Sequence, residues 1–212
     1  MKMIKPMNFV DVLDYTGVAL FAATGALVAS RKELDIVAFL FFAIVTATGG
    51  GTVRDLILDV QVFWLENHSY VLISVAVAVA VYFSAHLIEY RYGTLLWLDA
   101  IALAAFSVLG AEKALMLTGS PVAAILSGTM TAALGGIIRD VIAGEPTVIS
   151  RKELYVSAAA TGAGAFVLLM AFGFGPAVSA LMGFFTAFLL RGGGLAFGWH
   201  LPPYRSRPGR SV

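Results

Sequence analysis

The sequence predicts an all-α polytopic membrane protein: seven transmembrane helices, arranged as two inverted three-helix repeats followed by a seventh helix. Three observations carry that expectation. The 212 residues are 59% hydrophobic and 13% charged, with a mean hydropathy of +0.89, too apolar for a soluble domain of this length. Seven apolar runs approach the roughly twenty residues that cross a bilayer, at 10–29, 36–58, 70–88, 95–115, 121–142, 154–172 and 176–190. The chain also matches itself at an offset of 85 residues: between 14–71 and 99–156, 17 of 58 positions are identical without a gap, which points to an internal repeat.

Taken in order, the connections between runs are short, and no soluble domain fits between them. The whole chain, 1–212, reads as a single membrane domain. Its first repeat covers 10–90, its second 95–173 and its seventh helix 176–191, and a tail occupies 192–212. The start does not resemble a cleaved signal peptide, because the stretch before the first apolar run is short and polar. A net charge of +1 implies no nucleic-acid partner, and the lack of cysteine removes disulfides, thiolate metal sites and thiol catalysis.

Orientation follows from the basic residues outside the membrane. Lys2, Lys5 and Lys113 fall on the side of the N-terminus, whereas Arg31, Lys32, Arg91, Arg151, Lys152, Arg191, Arg205, Arg207 and Arg210 fall on the other. Three against nine places the N-terminus outside and the C-terminus in the cytoplasm. Each repeat holds three spans, so the second enters the membrane from the opposite face to the first. Inverted repeats of this kind commonly form a solute pathway near the midplane, where the two halves meet.

The non-trivial matches within the repeat are Asp14 with Asp99, Gly50-Gly51 with Gly135-Gly136, Arg54-Asp55 with Arg139-Asp140, and Tyr70 with Tyr155. Glycines weaken a helix and charges are costly in lipid, so a glycine cluster followed by Arg-Asp late in an apolar run needs a purpose. Unwinding at Gly49-Gly50-Gly51 and Gly135-Gly136 would free carbonyls able to ligate a cation, with Thr46, Thr48 and Thr131 adding hydroxyl oxygens. The plainer alternative is close helix packing through small residues.

At helical rise, Asp14 and Arg54 lie about 9 Å and 6 Å toward one face, and Asp99 and Arg139 lie correspondingly toward the other. The expected pairs are therefore Asp14–Arg54 and Asp99–Arg139. Asp55 and Asp140, adjacent to the arginines and about 100° away around the helix, suit a neighbouring span or helix-end contacts. Ser-Arg-Lys-Glu-Leu occurs at 30–34 and 150–154 with capping-box spacing, in which Ser30 and Ser150 cap the following helices. Arg31, Lys32, Arg151 and Lys152 there are candidates for contact with lipid headgroups. His68, His86 and His200 are scattered, and no nucleophile or metal-binding spacing is present, so no enzyme activity, cofactor or bound metal is expected beyond transient monovalent cations.

The duplicated Gly-Gly-x-x-Arg-Asp, in a seven-span chain with three-plus-three repeats, resembles the prokaryotic trimeric intracellular cation channels over roughly 14–191. The resemblance implies an inner-membrane homotrimer with a pore in every subunit that passes potassium and also admits sodium. Spans one, two, four and five would line it, with two and five kinked at their glycines. The second motif carries Leu134 where the first has Gly49, which breaks strict equivalence. Related bacterial sequences have been labelled glycine transporters, so an alternating-access carrier of a small solute is the alternative.

Overall fold

The computed structural model describes residues 9–87, 91–147 and 153–202. Over those residues the chain is helical: α1 (Phe9–Arg31), α2 (Ile36–Ile57), the single turn α3 (Phe63–Glu66), α4 (Ser69–Ser84, running into a 3₁₀ turn at Ala85–Leu87), α5 (Arg91–Thr118), α6 (Pro121–Ala143), α7 (Val156–Ala171) and α8 (Pro176–Phe197). Six of these are long and apolar enough to cross a membrane, and α7 is a shorter apolar helix. The chain is thus a multi-pass membrane protein, and α3 is a helical turn within the longest connection.

Local chemistry explains most boundaries. Asp35 caps α2, its carboxylate accepting from Ala38 N–H at 2.8 Å, and Ser120 caps α6 ahead of Pro121 in its first turn. Gly144 ends α6 in the left-handed region at φ 65°, a conformation that costs glycine little. The expected capping box at Ser30 and Glu33 does not form. Ser30 lies buried in the last turn of α1, and Glu33 sits in the left-handed region at φ 54°, leaving the cap to Asp35 two residues later. Ser150 lies outside the described residues, and Tyr155 precedes α7 with no side-chain cap. α8 runs past its expected end to Phe197, because Gly192 and Gly193 pack against Trp97 and Trp199.

The helices assemble around α5, which packs on α1, α6, α7 and α8. Every helix of the triad α1, α2 and α4 touches the other two, as does every helix of α5, α6 and α7, and the triads meet along α1–α5 and α2–α6. Lipid gives helices no hydrophobic reason to associate, so close approach through small side chains has to hold them. The buried faces of α1 and α5 are accordingly rich in alanine: Ala22, Ala26 and Ala29 on the first, and Ala100, Ala102, Ala104, Ala105 and Ala111 on the second. Larger side chains fill between them, as where Phe21 stacks on Phe106 at 5.2 Å.

Candidate functional site

The glycine motifs lie where α2 crosses α6. Both helices run unbroken through Gly49–Gly51 and Gly135–Gly136, so the expected interruption does not occur. The physical reason is contact. A Cβ on Gly50 would collide with the Thr131 carbonyl oxygen, and one on Gly135 would lie 2.6 Å from the Thr46 carbonyl oxygen. Each glycine pair thus lets one backbone touch the other, the small-residue packing named above as the alternative. Gly51 faces the Phe63 ring and Gly49 faces Ile138.

Thr46, Thr48 and Thr131, all buried, donate back to the carbonyls of Phe42, Ile44 and Ser127 at 2.6–2.7 Å. Their hydroxyl oxygens keep lone pairs after donating. The hydroxyls of Thr46 and Thr131 face Gly25 of α1 and Gly110 of α5, so the oxygens at the crossing itself, a tight seam, are the carbonyls of Thr46 and Thr131.

At one end of this seam the first Arg-Asp pair meets α3 and α5. Asp55, fully buried, accepts at Oδ1 from Arg54 Nε and from Lys113 Nζ, each at 2.8 Å, and at Oδ2 from Phe63 N–H at 2.9 Å. The Arg54 guanidinium also lies 5.7 Å from the Phe63 ring centre. Among the described residues the ion partner found for Arg54 is Asp55, while Asp14 accepts from the Tyr70 hydroxyl at the wall of the same cavity as Arg54. A guanidinium at the end of a three-carbon stem can turn back to the next residue's carboxylate, which an argument from helical angle alone overlooks. Next to this cluster a cavity of about 700 Å³ opens, lined among others by Asp14, Arg54, Glu66, Tyr70, Glu112 and Lys113.

Because Asp55 keeps two other donors, Lys113→Met is expected to lower the unfolding free energy by only about 1 kcal/mol. Thermal melting in detergent checks this; a loss of about 3 kcal/mol or more would make Lys113 the main support of the cluster.

At the other end the second pair is sealed. Arg139 Nη1 donates to Asp99 Oδ1 at 2.7 Å, the pairing expected from the register, and its Nε donates to Asp140 Oδ1 at 3.0 Å. All three residues are 2% exposed or less. Tyr155 lies beside them with its hydroxyl against Gly136, and Arg191 of α8 lies over the Tyr155 ring, 5.0 Å from its centre. Arg191 was counted among the cytoplasmic loop charges, yet it is fully buried and its Nη1 is 2.7 Å from Glu153 Oε2. Removing it leaves eight basic residues against three, so the charge bias survives.

Lys113 and Arg191 carry little sequence signal on their own, whereas Tyr155 was marked by its match to Tyr70. An arginine directly before Gly192-Gly193-Gly194, at the end of an apolar run, was the available hint. Of the candidate lipid contacts, Arg31 bonds Glu145 and covers the Tyr92 ring, Lys32 is exposed, and Arg151 and Lys152 lie outside the described residues. Among the described residues no cluster suited to a metal ion occurs.

A bundle of membrane-length helices with Arg-Asp clusters buried at both ends of one helix crossing defines a polytopic membrane protein with an ionised core. The chain belongs to the family described as glycine transporter, whose model matches it twice, at residues 11–86 and again at 96–171. It is 37% identical over 197 residues to a UPF0126 membrane protein of Vibrio cholerae, covering 90% of this chain and 80% of that protein. Over 155 residues it is 36% identical to the UPF0126 inner membrane protein YadS of Escherichia coli K12, covering 71% and 73%. Its fold is that of the trimeric intracellular cation channel orthologue from Rhodobacter sphaeroides, with 50% identity, a TM-score of 0.87, and coverage of 90% of this chain and 98% of that one.

Proposed function

We propose that this protein is a passive channel for monovalent cations, chiefly potassium, with one path inside each subunit of a homotrimer in the inner membrane. The observation that carries the proposal is the polar line through the bundle. A cavity bearing the carboxyl groups of Asp14, Glu66 and Glu112 adjoins the Arg54-Asp55 cluster, and the carbonyl oxygens of Thr131 and Thr46 at the α2–α6 crossing and then the Asp99-Arg139-Asp140 cluster follow in order along the two helices. Carboxyls at a mouth raise the local cation concentration, and ion-paired arginines repel a passing cation less than bare ones. The pore residues are those of the two motifs, with Gly49, Gly50, Gly51, Gly135 and Gly136 setting how closely α2 and α6 approach. The 50% identity to a trimeric cation channel supports both the transported ion class and the assembly.

The double match of the family model, 85 residues apart, and the like packing of the two triads support an inverted repeat of α1, α2 and α4 with α5, α6 and α7. With the N-terminus outside, the cavity opens outward and the sealed cluster faces the cytoplasm. No chemical step enters this function.

Purified protein in planar bilayers under a potassium gradient is expected to pass discrete unitary currents. Saturable accumulation of labelled glycine in liposomes against its gradient, with no unitary current, would instead establish a carrier.

A further inference from the structure

We propose that Arg191, supplied by the unduplicated helix α8, is the latch that keeps the Arg139 end of the path shut by clamping Tyr155 against Gly136. The proposal rests on the cation-path function above and assigns the control of its tighter end. Arg191 is a positioning residue: it acts on the path through Tyr155.

The two ends differ in what stands over the repeated tyrosine. Tyr70 donates to Asp14 at the wall of the 700 Å³ cavity. Tyr155, its match at offset 85, is 1% exposed, and its hydroxyl sits where a side chain on Gly136 would have to go. What covers Tyr155 comes from α8, which has no counterpart in the first half and packs on α5 and α7. A guanidinium 5.0 Å over a phenol ring in a dry site is a strong cation–π contact.

Arg191 is itself held weakly for a buried charge. It is 0% exposed, yet among the described residues none of its three nitrogens has an aligned hydrogen-bond acceptor. Its ion partner is Glu153, whose carboxylate approaches to 2.7 Å off the hydrogen-bonding direction and whose side chain is 29% exposed. Among the described residues the carboxylate that holds this clamp is Glu153, next to the start of α7. Arg139 is neutralised by Asp99 and Asp140, so what bars a cation at this end is a ring that cannot swing aside while Arg191 lies on it. When Glu153 releases Arg191, the ring is freed to move.

The test compares the wild type with Arg191→Gln, Arg191→Lys and Glu153→Gln, by single-channel recording and by hydroxyl-radical footprinting of Tyr155 and Tyr70 read by mass spectrometry. Arg191→Gln is expected to raise the open-to-closed ratio about tenfold, within the range one desolvated cation–π contact supports, with unitary current unchanged. Glu153→Gln should move the ratio in the same direction and Arg191→Lys should lie between the wild type and Arg191→Gln. Tyr155 labelling should rise several-fold in Arg191→Gln while Tyr70 labelling stays constant.

A fall in channel number or melting temperature at constant open probability and constant Tyr155 labelling would reduce Arg191 to a packing residue and overturn the latch. If Arg191→Gln does not assemble, Glu153→Gln decides by the same two measurements. A wild type without potassium current defeats the channel function itself, and footprinting still decides whether Arg191 clamps Tyr155.

Discussion

Alanine at Gly50 or Gly135 is expected to destabilise the protein by about 1–3 kcal/mol or more, the range found when a packed interior receives an extra methyl group. Each new Cβ would meet a carbonyl oxygen of the facing helix, Thr131 for Gly50 and Thr46 for Gly135, and a backbone atom cannot turn away as a side chain can. The helices would have to separate, losing the contacts that hold them together in lipid. Helix propensity acts in the opposite direction, favouring alanine by about 1 kcal/mol, so the sign of the measured change discriminates between the two effects. Thermal unfolding in detergent reads it. Stabilisation by Gly50→Ala would mean that α2 and α6 do not cross this closely.

At Gly136 the added Cβ would meet the Tyr155 hydroxyl, which can yield only if Arg191 lets the ring move. The loss in Gly136→Ala should therefore be relieved by Tyr155→Phe, which removes the clashing oxygen.

Arg139→Gln is expected to cost about 3–5 kcal/mol, because it takes the guanidinium away from the buried Asp99 carboxylate. Adding Asp99→Asn should recover a large part, and a double-mutant cycle in the unfolding free energy measures the coupling. Additive losses would show that Arg139 is not the ion partner of Asp99. At the other end the same cycle should find Arg54 coupled to Asp55 and nearly additive with Asp14, since the guanidinium is held by its neighbour in sequence. Asp14, bonded to Tyr70 at the cavity wall, then acts on the ion environment of the mouth more than on the stability of the cluster.

How much of this was legible in the chain depended on whether the controlling physics is local. Membrane class and the positions of the apolar runs follow from the transfer of side chains into hydrocarbon, which each residue carries with it, and composition alone determined them. The repeat was legible because both copies keep Asp, Gly-Gly, Arg-Asp and Tyr at one spacing, and that spacing brought Asp99 and Arg139 to the same depth.

The role of the glycines was not legible. A missing side chain permits an unwound turn and a close crossing equally well, and only the position of the facing backbone selects between them. Partner choice at Arg54 depended on where Phe63 N–H, from the following connection, and Lys113, from the distant helix α5, stand around Asp55. The burial of Arg191 was decided by α7 and α8 packing together around Tyr155. An arginine next to three glycines at the end of an apolar run reads as a solvated loop charge until a neighbouring helix covers it, and burial belongs to the assembled surfaces of several helices rather than to any stretch of one.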